Sequence, residues 1–189
     1  ARYEMTREQA LAIRSLAGKY AAPYLRKELG EDFSYWTVRE RRKELMSAHI
    51  AKYGIEKKPG VDELLDYLRG HGICTAVATA TDPERAKEYL TQIGIYDKFA
   101  RVISVSMVEN GKPKPDVYLY ACEQIGEQPG DCIAIEDSPN GVRSAVDAGL
   151  RTIMVPDLTR AEGETAEIIT AEADSLFDII LMMEDGRLC

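Results

Sequence analysis

Long hydrophobic runs are missing from this sequence. No stretch approaches the roughly 20 apolar residues of a membrane span, and the first residues carry no signal-peptide pattern. Histidine is nearly absent, with only His49 and His71 in 189 residues. His49 falls in a helical pattern and His71 in a last helical turn, where a cation suits the helix dipole. Nucleophilic catalysis through histidine is therefore disfavoured. The four cysteines, Cys74, Cys122, Cys132 and Cys189, form neither a CxxC pair nor a Cys/His metal-ligand spacing. Cys74 and Cys132 lie in apolar runs, where a free thiol behaves as a small buried hydrophobe, and a reducing, cytoplasmic setting is expected. Positive charge is also in deficit. A formal net charge of −8 argues against bulk electrostatic binding to nucleic acid or anionic lipid. It leaves room for a small cationic pocket that takes one phosphorylated metabolite. Internal repeats and low-complexity tracts are lacking as well.

What is present reads as a soluble globular chain, with 45% hydrophobic and 30% charged residues. Its length suits one domain, or a core with a small accessory domain. The two halves differ in grammar. Residues 1–57 are helical and charged, with no convincing strand. Thr6 and Gln9 form a capping box for a helix to about Ala17, and Lys19 to Leu29 continues helically with Pro23 in a first turn or at a break. Thr37 and Glu40 cap a third helix, which Gly54 ends near Tyr53. This half is expected to be an all-helical unit, an inserted cap.

From residue 58 the pattern changes. Helical stripes (Val61, Leu64, Leu65, Leu68; Ala86, Tyr89, Leu90, Ile93) alternate with short apolar runs bounded by turn signals. The runs Ile73–Ala78, Arg101–Val105, Cys132–Ile135 and Thr152–Val155 read as buried strands. Asp116–Ile125, Gly141–Ala148 and a last stripe from Leu176 to Met183 read as helices. Strands alternating with helices give right-handed crossovers and a doubly wound parallel sheet, so residues 58–189 are expected to form an α/β core.

In such a sheet, ligands bind at the carboxyl ends of the strands. Thr79 closes the first strand, Lys112 lies in the loop after the second, and Glu136 and Asp137 close the third. A hydroxyl, a fixed cation and paired carboxylates on one edge suit a phosphate held with a divalent metal, whose hard-oxygen ligands would be the carboxylates. Thr81 or Asp82 before Pro83, and Ser138 before Pro139, are equally well explained as helix caps. Adjacent carboxylates directly after an apolar run are costly without a cation or donors beside them.

The strings Gly111-Lys112-Pro113-Lys114-Pro115-Asp116 and Glu136-Asp137-Ser138-Pro139-Asn140-Gly141, about 25 residues apart, resemble the third and fourth motifs of the haloacid dehalogenase superfamily. More narrowly, they are similar to the branch containing β-phosphoglucomutase and phosphoglycolate-type phosphatases. The resemblance is close over about residues 59–156 and loose over the helical half. It implies a Rossmann-like core with a helical cap, and Mg²⁺ held by Asp137 with Glu136 assisting. It also implies that Thr79, with Ala80 beside it, and Lys112 bind the transferring phosphoryl group. In the cap, Gly18-Lys19 resembles a position that presents a basic residue to substrate, with Arg14 a weaker candidate.

One departure stands out. The family's nucleophile and acid/base are two aspartates in an Asp-x-Asp motif on a central strand preceding the cap, and no Asp-x-Asp occurs in this chain. Asp157 and Asp185 are not credible substitutes. Either an upstream segment supplies that strand, or the protein is a pseudoenzyme that binds without turnover. The first is favoured, because removing a central parallel strand leaves buried backbone groups unpaired. The expected function of the parent protein is a Mg²⁺-dependent phosphatase acting on a small phosphorylated metabolite of the sugar-phosphate kind, through an aspartyl-phosphate. A sugar-phosphate mutase is the alternative, and these 189 residues alone are expected to be inactive.

Overall fold

The computed structural model describes residues 3–188; Cys189 lies outside them. Three helices open the chain: α1 (Arg7–Ala12), α2 (Gly18–Leu29) and α3 (Tyr35–Tyr53). Thr6 and Gln9 make the expected capping box on α1. That helix ends earlier than its periodicity indicates, at a turn where Ser15 adopts φ +59°. Pro23 sits inside α2 rather than in its first turn or at a break. Buried Ala21, Ala22 and Leu25 hold the helix through the single i→i−4 hydrogen bond that proline removes. α3 begins at Tyr35, ahead of the expected Thr37 cap, and Gly54 ends it with φ +78°.

The remaining elements alternate as α4 (Val61–Gly70), β1 (Ala76–Thr79), α5 (Pro83–Gln92), β2 (Arg101–Ser104), α6 (Asp116–Ile125), β3 (Ile133–Glu136), α7 (Pro139–Asp147), β4 (Arg151–Met154), α8 (Glu164–Ile168), β5 (Ala171–Glu172) and α9 (Leu176–Glu184). All strand pairs are parallel, and the architecture is α/β as the alternation predicts. β1 begins later than the apolar run that marks it, and Ile73 at the start of that run is exposed. The two-residue β5 and the short α8 leave too little periodicity to be read from sequence.

The sheet is in two pieces, β1–β2 and β3–β4–β5. Register aligns Thr79 with Ser104 in the first piece and Glu136 with Met154 in the second, so the polar strand ends share one edge. One apolar cluster packs α6 and α7 against β2 and β3 through Ile103, Val117, Ala134 and Ala145. A second joins α4 and α9 to β4 through Leu64, Ile153 and Ile179. Each buried Leu, Ile or Val among them contributes about 1.5–3 kcal/mol by leaving water. Between the pieces lies a cavity of about 1060 Å³, lined by Ala76–Thr79 of β1 and Ile133–Glu136 of β3. Ile135, which a closed parallel sheet would bury, is 38% exposed. No helix among the described residues is long and apolar enough to cross a membrane.

Candidate active site

The carboxyl edge of the two half-sheets collects most of the residues singled out from the sequence. Lys112 is carried by the loop between β2 and α6, where a Cβ on Gly111 would stand 2.8 Å from that of Ala17. Only glycine lets the loop come this close to the entry of α2, and the Ala17 amide donates to the Lys112 carbonyl at 2.9 Å. This close approach is the local reason for glycine before Lys112.

The Lys112 ammonium is buried and donates to the Ala78 carbonyl (3.1 Å), to the Tyr118 hydroxyl (3.4 Å) and to Glu136 Oε1. Tyr118 in turn donates its hydroxyl proton to the same Glu136 oxygen, and the ammonium lies 4.9 Å from the Tyr118 ring centroid. Glu136 Oε2 accepts from the Asp137 amide at 3.2 Å. Glu136 therefore balances Lys112 rather than facing solvent, and all three ammonium protons have acceptors. Burial, then the Glu136 charge, pushes the Tyr118 phenol well above its ordinary range, so it remains a donor. Tyr118 had no signal in the sequence beyond its place on a helical stripe.

Asp137 points the other way. Its carboxylate pairs with Arg14, whose Nη2 also reaches Asp157 Oδ2 at 2.6 Å and whose Nη1 donates to the Asp137 carbonyl at 3.4 Å. Burial raises the Asp137 carboxyl above the usual carboxylate range, partly opposed by Arg14 and reinforced by Glu136 and Asp157. Asp157, set aside as a nucleophile, thus joins the site as an acceptor beside Asp137. Lys58 stands 3.7 Å from it. The cap-side lysine, Lys19, is engaged by the Glu109 carbonyl (2.9 Å) and Asn110 Oδ1 (2.6 Å), and Asn110 is itself fixed by Asp116 Oδ1 at 2.9–3.0 Å.

Thr79 ends β1 with its hydroxyl oxygen accepting the Thr81 amide at 3.0 Å. Its own proton has no protein acceptor among the described residues. Ser104, fully buried, donates to the Thr81 carbonyl at 2.8 Å and so fixes the Thr79–Thr81 turn from the neighbouring strand. Ser138 caps α7 through the Gly141 amide at 3.3 Å, the structural role its position before proline indicates. Gly141 is required there, because an added Cβ would overlap the Glu136 carboxyl.

Residues 8–149 match the haloacid dehalogenase-like hydrolase family, three-quarters of the chain. The chain belongs to that family. Among relatives of this haloacid dehalogenase-like hydrolase, protein CbbY of Rhodobacter capsulatus is 32% identical over 163 residues, covering 82% of this chain and 71% of that protein. The phosphorylated carbohydrates phosphatase of Thermotoga maritima is 32% identical over 116 residues, covering 61% of this chain and 51% of that protein. A crystal structure of a CbbY mutant from Rhodobacter sphaeroides, in complex with xylulose-(1,5)bisphosphate, superposes with a TM-score of 0.75 at 28% identity over 92% of this chain and 81% of that one. β-Phosphoglucomutase of Clostridium difficile shares the fold, with a TM-score of 0.77 at 20% identity over 98% of this chain and 85% of that one. The chain spans between 30% and 71% of the length of the first curated relatives it matches, and less than two thirds of most of them.

Proposed function

We propose that this chain forms the phosphate- and metal-binding part of a Mg²⁺-dependent phosphatase that acts on a small phosphorylated metabolite of the sugar-phosphate class. The observation that carries the reading is the buried Lys112 ammonium, fixed at the carboxyl edge beside two consecutive carboxylates. Thr79 would donate its free hydroxyl proton to a phosphate oxygen, with Ala80 beside it, while Lys112 supplies positive charge that needs no reorganisation. Arg14 and Lys19 would complete the cationic rim on the cap side.

Asp137 presents a hard carboxylate oxygen that is 42% exposed as a side chain, and Glu136 stands next to it. No three His, Cys, Asp or Glu residues among those described converge as a metal cage. That donor set fits Mg²⁺, which takes one or two carboxylates and completes its shell with water and substrate phosphate. When bound, the ion would neutralise phosphate charge and orient the group for in-line attack.

The nucleophile in this reading is an aspartate on a strand that enters the gap between β1 and β3 and forms the aspartyl-phosphate. The facing strand edges and the cavity between them support it, since unpaired backbone groups inside a parallel sheet call for a partner. Residues 1–57 would then act as a cap over the core 58–189, in a reducing cytoplasm, and the 189 residues alone would not turn over. A sugar-phosphate mutase is the second reading, favoured by Thr79-Ala80-Thr81, which resembles the mutase form of that turn. Following phosphate release and product isomerisation together, on a panel of sugar phosphates, tests both. Release with no isomer supports the phosphatase, isomer without release supports the mutase, and neither from the protein as encoded overturns both.

A further inference from the structure

Arg14 holds the one carboxylate that the proposed site offers outward. A single guanidinium nitrogen contacts both Asp137 and Asp157, and the side chain is only 17% exposed. The turn that delivers it is clamped from the far side. Asn140, in the first turn of α7, donates its amide protons to the carbonyls of Ala12 (3.0 Å) and Arg14 itself (2.8 Å). The next residue, Ser15, has φ +59°, the only non-glycine residue in the left-handed region among those described. L residues adopt that region rarely, so the turn is held in place by the contacts of Asn140 and Arg14 against a backbone preference to leave it.

We propose that Arg14 is a tethered competitor for the divalent cation: its guanidinium occupies Asp137 and Asp157 when the turn at residues 13–16 is down, and a metal ion gains Asp137 only when that turn lifts. The inference rests on the assignment of Asp137 as the metal carboxylate and adds a regulatory device to it. Arg14 Nη2 takes Asp137 Oδ2 and Asp157 Oδ2 together, so its positive charge stands between the two carboxylates and repels a divalent ion from the place where both could serve it. The apparent metal affinity is then the intrinsic affinity scaled by the fraction of molecules with the turn lifted. The same turn leads to Ala17, the N-cap residue of α2, whose amide donates to the Lys112 carbonyl.

Titration of MgCl₂ into the full chain by calorimetry provides the test, run on wild type, Arg14→Ala, Arg14→Lys and Asn140→Ala. The expected result is Mg²⁺ binding at least about tenfold tighter in Arg14→Ala. Arg14→Lys should fall between, since a point charge does not bridge two carboxylates as a guanidinium does. Asn140→Ala changes no charge, so tighter binding there separates release of the turn from simple removal of a positive neighbour. Amide hydrogen exchange at residues 12–16 of the wild type should accelerate when Mg²⁺ saturates the site. Equal affinity in wild type and Arg14→Ala, or tightening in Arg14→Ala without any in Asn140→Ala, overturns the competitor. Absence of Mg²⁺ binding in every variant overturns the metal assignment itself, and the competitor with it.

Discussion

Replacing Gly141 by alanine sets two effects of opposite sign against each other. Gly141 is within α7, where helix propensity alone favours alanine by about 1 kcal/mol. An added Cβ, however, falls well inside van der Waals contact with both oxygens of the buried Glu136 carboxyl. Ordinary contact requires about 3.5 Å, so either the helix or the carboxyl must give way. The carboxyl cannot yield freely. It accepts from Lys112 and Tyr118, and both charged side chains are nearly inaccessible to water, at 5% and 6% exposure. Forcing an extra carbon into packed surroundings costs about 1–3 kcal/mol, and separating a buried ion pair costs about 3–5 kcal/mol. The clash outweighs propensity, and Gly141→Ala is expected to destabilise the fold by about 3–5 kcal/mol. For a chain of this size that lowers Tm by roughly 6–20 °C, at ~2–4 °C per kcal/mol. Thermal unfolding followed by circular dichroism reads the shift. In a Glu136→Ala background the same substitution should become nearly neutral, because the clash partner is gone. A Gly141→Ala protein that melts with the wild type, or a penalty undiminished when Glu136 is removed, would mean that the Glu136 carboxyl does not oppose a Cβ at this position.

Three further outcomes follow from the same geometry. Lys112→Met leaves Glu136 buried and uncompensated, and urea unfolding should show a loss of about 3–5 kcal/mol; adding Glu136→Gln to it should restore part of that loss, and a purely additive double variant contradicts the pairing. Burial pushes the Cys132 thiol up to about 12, whereas Cys74 is exposed. Peptide mapping after brief thiol alkylation at pH 8 should therefore find Cys74 modified on the order of a hundred- to a thousandfold faster than Cys132, and comparable rates contradict the assignment. Thr79→Val removes both the acceptor for the Thr81 amide and the proposed phosphate donor, so phosphate release by the protein as encoded should fall by at least about tenfold with Tm shifted by only a few degrees.

The elements that lay open in the sequence are those whose signals are local. β3 and α7 were legible because an apolar run, two carboxylates and a Ser-Pro helix start follow one another directly. The same holds for α6, whose bounds match its stripe, ended by Gly126 in the left-handed conformation. Pro23 lies inside α2 against its local preference, because the buried face of the helix overrides a proline's local cost. In the site, the positions of Thr79, Lys112, Glu136 and Asp137 on one edge followed from strand order. Their partners did not. Tyr118 reaches Glu136 from a neighbouring helix, and Arg14 meets Asp157 across 143 residues of sequence. No periodicity or spacing encodes such pairings; the Arg14–Asp157 pair arises only when the turn after α1 and the loop after β4 come to the same edge. That Lys19 contacts Asn110 rather than open space is equally a product of how α2 docks on the Lys112 loop.

Asp137 and Lys112 are proposed to serve phosphoryl transfer from a small phosphorylated metabolite. The most direct measurement is phosphate release from sugar phosphates by the protein as encoded, with and without Mg²⁺, in wild type and Asp137→Asn. Release should depend on Mg²⁺ and fall by at least about a hundredfold in Asp137→Asn. Mg²⁺-dependent turnover that survives Asp137→Asn intact would remove Asp137 from the metal site.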